Sequence, residues 1–355
     1  MPRVAGVDPG TVSFDLCVLD DGIPTLQQVF RSGALSDDPA PLIDALLRHG
    51  PYDLVYGPSG YGLPLVMAGD VDEPRLAQMV LVRPDEAGAR AGIGGLRTLL
   101  RALAGSGLPV VFGPGVIHLP TVPRHRKYNR VDLGTADKVC SAAYAIADQA
   151  SRLRIGYEQT SLVLLELGGA FTAALAIASG QIVDGAGGSS GPVGVRAAGA
   201  LDGELAYLLG PALRKRTLFS GGALDPAGTG AVDLAASWSA PAHAEGWAAL
   251  LEGAAKAARG LAASVPQLRE IVVAGRLARL EGAVTALASS LTDVAPVVAL
   301  VAGAASTAAH GGALLADGLA GGRCEALVET LALRQAGGTA LDHLRVAGAD
   351  AIVLG

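Results

Sequence analysis

With 355 residues, the chain is longer than one ordinary hydrophobic core supports, and its length fits two domains. A net charge of −6 argues against a general nucleic-acid binder, and three widely spaced cysteines form neither a disulfide framework nor a metal-ligand cluster. Half of the residues are apolar, yet we find no clean run of about 20 apolar residues that would span a membrane and no secretory signal, so we expect a cytoplasmic protein.

The first part of the chain predicts a mixed sheet. Apolar periodicity places its elements, in chain order, at strands 3–8, 12–19 and 25–31, helix 39–48, and strands 53–56 and 108–113. Pro, Gly and Ser concentrate at 57–62, which predicts a loop. Residues 134–151 have helical periodicity, and we interpret this helix as the connection to a second domain.

From Ser161 onward the pattern of three strands begins again. The elements predicted there are strands 162–167, 171–178 and 181–186, helices 201–209 and 242–264, strand 269–275, a helix from about Leu277, strand 293–301 and helix 306–320. A second stretch rich in Gly, Pro and Ser, at 185–194, predicts another loop. The chain is therefore predicted to be α/β, with two similarly built halves.

Both halves open with the same hairpin, and this is the most informative feature of the sequence. Residues 4–22 (VAGVDPGTVSFDLCVLDDG) and 162–180 (LVLLELGGAFTAALAIASG) align at an offset of 158, so that Asp8 meets Glu166 and turn glycines meet turn glycines. Two such turns can present their amide groups to a polyphosphate from opposite sides, with a carboxylate beside each to hold Mg²⁺ directly or through water. One copy alone is more typical of an ordinary hairpin, and it is the repeated spacing that favours a phosphate site.

These motifs resemble those of the superfamily that contains acetate kinase, sugar kinases, heat-shock ATPases and actin. VDPGT (7–11) resembles the first phosphate motif, ELGGAFT (166–172) the second, and VVAGR (272–276) the adenosine motif. The resemblance implies an α/β, two-lobed actin-like ATPase fold with duplicated ribonuclease H-like domains, which closes on ATP and Mg²⁺ as cofactors. By this resemblance, the residues expected to contact the nucleotide are Gly10, Thr11, Gly168, Gly169, Thr172, Gly275 and Arg276.

The same resemblance implies that Asp8 and Glu166 orient the metal ion. Glu166 stands where many members of the superfamily carry aspartate. Its longer side chain is therefore expected to reach Mg²⁺ through water.

A closer resemblance, covering nearly the whole chain, is to a prokaryotic family of predicted butyrate kinases. It rests on the segments HLPTVPRHRKYNRVDLGTADK (118–138), GGSSGPVG (187–194), LDGELAYLLG (201–210) and ALLADGLAGG (313–322). It implies phosphoryl transfer from MgATP to a small acceptor. The acceptor expected first is a short-chain carboxylate such as butyrate, which would give an acyl phosphate. The domains then expected are 1–133 with the first phosphate motif and an acceptor-side loop, 134–152 as the connecting helix, 153–305 with the second phosphate and adenosine motifs, and 306–355 as C-terminal helices closing back on the lobes.

A cluster of basic residues lies directly before the connecting helix, formed by Arg124, His125, Arg126, Lys127 and Arg130. In the superfamily this region borders the cleft, so Arg124 and Arg126 are expected to bind the acceptor carboxylate and to stabilise charge on the transferred phosphoryl group. His118 is a second candidate donor. The alternatives are a solvated basic loop and a structural histidine.

Two acidic residues flank the start of the connecting helix. Asp137 is expected either to have a functional role, by binding Mg²⁺ through water or by polarising the attacking oxygen, or to serve as a first-turn residue favoured by the helix dipole. Asp132 is interpreted as a loop acid or cap, and Lys138 as a neutralising neighbour of Asp137. A carboxylate acceptor is already ionised at neutral pH, so it needs no general base.

Two other classes of function remain open. One is an ATP-driven conformational switch or activase-like ATPase without a small-molecule acceptor, although no cysteine pair suits the iron–sulfur cluster of an activase. The other is a nucleotide-binding scaffold without turnover. We expect an ATP-dependent phosphotransferase with a small anionic substrate, no nucleic acid and no membrane as partners, and a homodimer as the candidate assembly.

Overall fold

The structure, a computed structural model, describes residues 1–10, 13–31, 38–87, 93–228, 230 and 232–355. Its strands are β1 Arg3–Pro9, β2 Ser13–Asp20, β3 Ile23–Arg31, β4 Leu54–Gly57, β5 Gly62–Met67, β6 Val110–Pro114, β7 Leu162–Leu167, β8 Thr172–Ala178, β9 Gln181–Ala186, β10 Glu270–Ala274 and β11 Val297–Ala299. Its α-helices are α1 Ala40–His49, α2 Glu73–Val80, α3 Ile93–Gly105, α4 Ala136–Leu153, α5 Gly203–Leu209, α6 Leu234–Trp238, α7 Ala244–Ala262, α8 Glu281–Ser290, α9 Thr307–Leu319 and α10 Glu325–Thr330.

Two mixed sheets repeat one topology. Sheet one has the strand order β3-β2-β1-β4-β6-β5, and sheet two has the order β11-β10-β7-β8-β9. Each sheet begins with three antiparallel strands, β1–β3 in sheet one and β7–β9 in sheet two. In sheet one, β1 then pairs in parallel with β4, and β4 with β6. In sheet two, β7 pairs in parallel with β10, and β10 with β11. This duplication confirms the predicted two-lobed actin-like ATPase fold. We call the part built on sheet one lobe one and the part built on sheet two lobe two.

Three helices or strands of lobe one were not predicted from the sequence. Strand β5 contains Pro64, and a proline inside a run argues against a strand. The strand nevertheless forms because β5 lies at the edge of sheet one, where a missing N–H costs few ladder hydrogen bonds. Helices α2 and α3 were also missed. In lobe two, the helix expected from Leu277 is instead a 3₁₀-helix at Arg276–Arg279, and α8 begins only at Glu281.

Helices α4 and α9 pack together in a core that also includes residues from both sheets. Small residues allow this packing: a Cβ atom at Gly6 on β1 would lie 2.2 Å from the Ala309 carbonyl oxygen, and one at Gly311 would lie 1.8 Å from the Cys140 carbonyl oxygen. The predicted connecting helix is therefore fixed against α9, which in turn covers the first strand of lobe one. The predicted domain boundaries remain predictions.

Each lobe has a second core on its outer face. In lobe one, β1 and β2 pack there against α1, α2 and α3, and in lobe two, β7 and β10 pack against α7 and α8. The three cysteines are buried and unpaired. Within the described ranges, no helix is both long and apolar enough to cross a membrane.

Candidate active site

The two phosphate-motif turns occupy equivalent positions in the lobes. Asp8 precedes the first turn on β1, and Glu166 precedes the second on β7. The second turn is closed by a hydrogen bond of 3.0 Å from the Gly168 N–H to the Phe171 carbonyl. In the first turn, a Cβ atom at Gly10 would lie 2.7 Å from the Ser13 carbonyl oxygen, and in the second a Cβ atom at Gly168 would lie 3.2 Å from the Phe171 carbonyl oxygen. Thr11, a predicted nucleotide contact, lies outside the described residues.

A third turn follows β10 and packs against the second hairpin. Gly275 has a φ of 81°, and a Cβ atom there would lie 2.5 Å from the Leu167 carbonyl oxygen. Only glycine adopts this conformation at such a close approach without strain. The turn leads directly into the 3₁₀-helix that begins with Arg276.

All three turns line one cavity of about 1230 Å³, to which both lobes contribute. The predicted site residues that line this cavity are Asp8, Gly10, Asp137, Glu166, Gly168, Gly169, Gly275 and Arg276. The structure therefore brings together residues that are up to 268 positions apart in the chain, from Asp8 to Arg276.

The order of the strands gives this cavity two ends. In sheet two, β10 and β9 lie on opposite sides of the β7–β8 pair, so the Gly275 turn and the 187–194 loop are separated by the second hairpin. Tyr61, from the loop after β4, lies beside Ser189 of that 187–194 loop, and both line the cavity. We call the two ends the Gly275 end and the Tyr61 end.

The Tyr61 end has largely apolar walls. A Cβ atom at Gly60 would lie 3.1 Å from the Leu96 side chain and 2.4 Å from the Met79 carbonyl oxygen. Across the cavity, the rings of Phe171 and Phe219 pack edge to face, with 5.2 Å between their centroids. All five of these residues line the cavity.

At its centre, the cavity contains a cluster of four charged side chains. Lys138 Nζ lies 2.5 Å from Asp137 Oδ2 and 2.7 Å from Glu166 Oε2. Burial acts to lower the pKa of Lys138, but the carboxylates of Asp137, Glu166 and Asp8 hold it well above its ordinary value. Sequence reasoning identified the three carboxylates but interpreted Lys138 only as a neighbour of Asp137. Lys138 instead joins the start of α4 to the second hairpin.

The carboxylates in this cluster differ in their affinity for protons. Burial and the neighbouring Asp137 raise the pKa of Asp8 to about 7. Burial acts in the same direction on Asp137, but Lys138 and the Thr135 hydroxyl hold the pKa of Asp137 below its ordinary value. The cluster therefore keeps Asp137 ionised and leaves Asp8 near its titration point at neutral pH.

Ser306 connects the first hairpin to α9. Its hydroxyl donates to Asp8 Oδ2 at 2.7 Å, and its backbone N–H donates to Asp15 Oδ2 at the same distance. Asp15 is the cross-strand partner of Asp8, and burial raises its pKa. Its second oxygen, Oδ1, has no hydrogen-bond partner among the described residues. Asp15 also lines the cavity, and sequence reasoning did not identify it.

Two of the predicted catalytic residues do not reach the cavity. Arg126 Nη1 donates to the Val183 carbonyl at 2.8 Å, and its Nε lies 3.6 Å from Asp184 Oδ2. The side chain is therefore bound to the edge strand β9 by a hydrogen bond and an ion pair. Arg124 is exposed to solvent. Neither lines the cavity, so the structure does not bring them to the predicted acceptor site. The exposed position of Arg124 fits the alternative interpretation of the basic cluster, a solvated loop.

Two further candidate residues, His118 and Thr172, are buried and do not line the cavity. His118 is buried, its Nδ1 lies 3.3 Å from the Gly115 carbonyl oxygen, and burial lowers its pKa to about 4. Thr172 is buried on β8 opposite Leu167 and does not line the cavity, so it is not placed to contact a phosphate. Thr172 is buried at the start of β8, and His118 is buried at the end of a 3₁₀-helix, Val116–His118.

The donor set fits Mg²⁺ held mainly by phosphate and water. In the described ranges, no group of three or more His, Cys, Asp or Glu side chains is arranged to hold a metal ion. Mg²⁺ commonly takes only one or two protein carboxylates beside substrate phosphates and water. Asp8 and Glu166 line the cavity next to the two turns and can serve in that way.

Comparison with known proteins agrees with this architecture. Residues 6–346 match the model of the family described as "Protein of unknown function (DUF1464)". Similar solved structures include a propionate kinase from Francisella tularensis subsp. tularensis SCHU S4, at 12% identity over 88% of this chain and 98% of that chain, with a TM-score of 0.62. Porphyromonas gingivalis acetate kinase is 15% identical over 83% of this chain and 88% of that chain, with a TM-score of 0.54. No curated protein matches the sequence. At these identities the likeness shows the fold alone.

Proposed function

This chain belongs to the DUF1464 family, and from the geometry of its cleft we propose that it is an ATP-dependent phosphotransferase that acts on a small carboxylate. The observation that carries this proposal is the convergence of three glycine turns and the Lys138 cluster on one cavity. Backbone amides at tight turns bind phosphate groups, and a buried cation between carboxylates provides fixed charge where phosphoryl transfer needs it.

The Gly275 end of the cavity suits the nucleoside, and the two hairpin turns suit the phosphates. Gly275 and Arg276 both line the cavity at this end. The volume of about 1230 Å³ exceeds that of a typical pocket for one small ligand, so there is room for a nucleotide and a second substrate. MgATP would supply the phosphoryl group, with the metal ion neutralising charge on the phosphate oxygens.

The residues of this chain then act by position and charge. Asp8 and Glu166 would hold the metal ion or its water ligands from opposite lobes. Lys138 fixes Glu166 and Asp137 by its two ion pairs and places a positive charge between the hairpins. Phosphoryl transfer depends mostly on such positioning and electrostatic stabilisation, since there is little covalent chemistry for the protein to perform.

A carboxylate acceptor is supported by the character of the Tyr61 end. Its apolar walls, which include Leu96, Phe171 and Phe219, suit a short acyl chain. An ionised carboxylate attacks without a general base, whereas a hydroxyl acceptor needs one. The resemblance to predicted butyrate kinases points to the same class, and acetate and propionate kinases are among the solved structures with this fold.

Trapping the product tests this proposal. The purified protein is incubated with MgATP and hydroxylamine in the presence of acetate, propionate, butyrate, butan-1-ol or no acceptor. Acyl phosphates react with hydroxylamine, so the proposal predicts acyl hydroxamate in amounts equal to the ADP formed, with a carboxylate only. Equal ADP release with and without every acceptor would favour the switch or activase-like ATPase. No ADP release in any mixture would favour the scaffold without turnover.

A further inference from the structure

Lys215, from lobe two, reaches across to lobe one at the Tyr61 end of the cavity. Its Nζ lies 3.2 Å from the Tyr61 hydroxyl oxygen and 3.1 Å from the Leu81 carbonyl oxygen, and 4.6 Å from the centre of the Tyr61 ring. The backbone N–H of Lys215 donates to Glu86 Oε2 at 2.8 Å. The adjacent Arg214 forms an ion pair of 2.5 Å with Asp85. The position of the Lys215 side chain is thus set by contacts on both sides.

The direction of the hydrogen bond leaves the Tyr61 proton for another acceptor. An ammonium group can only donate, so the Tyr61 oxygen accepts the bond from Lys215. Ser189, which lies beside Tyr61, donates its own hydroxyl proton to Asp132 Oδ2 at 2.7 Å. A ligand oxygen in the cavity can therefore take the proton of Tyr61 in place of Ser189.

The carboxyl group of Asp132 accepts three hydrogen bonds. Its Oδ1 accepts from the Gly134 N–H at 3.2 Å, and its Oδ2 accepts from both the N–H and the hydroxyl of Ser189. These bonds fix Asp132 in the wall, where its charge balances that of Lys215.

Tyr61 is also fixed close to the charged cluster. The Gly60 carbonyl accepts a hydrogen bond of 2.9 Å from the Ala136 N–H, one residue before Asp137. The apolar walls next to Tyr61 exclude water, and a hydrogen bond to an anion is stronger in such surroundings than in water. This bond joins the loop that carries Tyr61 to the start of α4, which carries Asp137 and Lys138 of the charged cluster.

We propose that the Tyr61 hydroxyl binds the acceptor carboxylate and that Lys215 is the positioning residue that orients Tyr61 and supplies the compensating charge. The substrate class is a short monocarboxylate with an apolar tail, which packs against Met79, Leu96, Phe171 and Phe219. This inference rests on the proposed function and assigns to Tyr61 and Lys215 the role that sequence reasoning gave to Arg124 and Arg126.

Variants with matched controls test the inference. Tyr61→Phe removes one hydroxyl and Lys215→Met removes one charge, while Tyr207→Phe and Lys256→Met make the same changes on exposed side chains of α5 and α7. Butyrate serves as the probe. A hydrogen bond to a charged group predicts that Tyr61→Phe raises the butyrate KM about tenfold or more, with the ATP KM unchanged. Lys215→Met is expected to raise the butyrate KM similarly, Lys215→Arg to recover most of the loss, and the controls to change neither constant.

A pH profile of the wild-type enzyme provides a readout that needs no variant. Burial lowers the pKa of Lys215 to about 8, against the opposing effects of Asp132 and Glu86, and the other groups around it are Tyr61 and the Asp85–Arg214 pair. Lys215 is charged below this pH and neutral above it. The butyrate KM is therefore expected to rise as the pH passes through about 8, and Lys215→Met should abolish this rise.

The outcomes separate the two proposals. If the wild type forms no acyl phosphate from any carboxylate, the proposed function fails and this inference fails with it. If the wild type forms acyl phosphate but Tyr61→Phe keeps a butyrate KM within twofold of wild type, the inference alone is overturned. A pH dependence that survives in Lys215→Met would likewise overturn the role of Lys215.

Discussion

Lys138 at the start of α4 and Glu166 on the second hairpin form an ion pair, with 2.7 Å between Nζ and Oε2. Because Lys138 also pairs with Asp137 and interacts with Asp8, one mostly buried cation balances three carboxylates. Both hairpins and the connecting helix therefore share one electrostatic centre. The charge of each member therefore affects both the stability of the fold and the site between the hairpins.

Lys138→Met should destabilise the protein in the absence of ligands. Removing one partner of a buried ion pair leaves uncompensated charge and typically costs about 3 to 5 kcal/mol. The Lys138 side chain is 13% exposed, so we expect about 3 kcal/mol. Urea unfolding measures the change, with the exposed Lys256→Met as control. Mg²⁺ should restore part of the lost stability, since it supplies positive charge to the same carboxylates. A variant as stable as wild type would show that the cluster is not the electrostatic centre described.

Asp8→Asn should separate stability from activity. Asp8 has a pKa of about 7 in the folded protein and an ordinary value of 3.8, so the native state binds more protons and its stability falls as the pH rises from about 4 to about 7. The variant lacks this loss and, without nucleotide, should be more stable than wild type at pH 8 by about 1 to 3 kcal/mol. It should show no such gain near pH 4.

In the same variant, turnover of ATP should fall, by at least ~2 kcal/mol of transition-state stabilisation, because a charge that orients the metal is lost. Urea unfolding at the two pH values and a steady-state ATP assay measure both effects. Near-normal turnover in folded Asp8→Asn protein would refute the assignment of the first phosphate motif.

Gly275→Ala should damage the third turn. The new Cβ atom would lie 2.5 Å from the Leu167 carbonyl oxygen at a φ of 81°, and strain of this kind costs about 1 to 3 kcal/mol. Displacement of the turn should also weaken MgATP binding. Gly260→Ala is the matched control, because it lies on α7 with no atom within 4 Å of the added group and should slightly stabilise the helix. Equal MgATP affinity in both variants would remove Gly275 from the nucleotide site.

Arg124→Met and Arg126→Met should leave the kinetic constants for ATP and for the acceptor unchanged. Arg126 is expected to contribute only stability, about 1 kcal/mol, through its bond to the Val183 carbonyl. Arg124 is exposed and should contribute neither to stability nor to the kinetic constants. Thermal unfolding and steady-state kinetics test both expectations. A raised acceptor KM in either variant would return these arginines to the acceptor site.

The hairpins were predictable from the sequence because their signals are local. A strand, an acidic residue and a glycine turn lie within about ten residues, and the second copy repeats that spacing around Glu166. The same repeat predicted two similarly built halves, each opening with three strands. Strand β5 was missed because Pro64 disfavours a strand, and only its edge position in the folded sheet makes it acceptable.

The remaining site residues depend on contacts that no local pattern encodes. Arg126 and Lys138 are both basic residues near the start of α4, yet packing against β9 directs one away from the cavity and Glu166 draws the other into it. Tyr61 lies in the predicted loop at 57–62, but its proposed role depends on Lys215, which is 154 residues further along the chain. Such pairings arise only when the two lobes are assembled.

Direct titration of the wild-type protein with MgATP tests the central claim, that the cavity between the duplicated hairpins is a nucleotide site. Isothermal titration calorimetry should give one site per chain, with a dissociation constant in the range of about 1 μM to 1 mM that is usual for enzyme substrates. At a hundredfold excess over that constant, bound MgATP should stabilise the fold by about 2.7 kcal/mol. The absence of saturable binding at millimolar MgATP, with no change in thermal unfolding, would contradict the account.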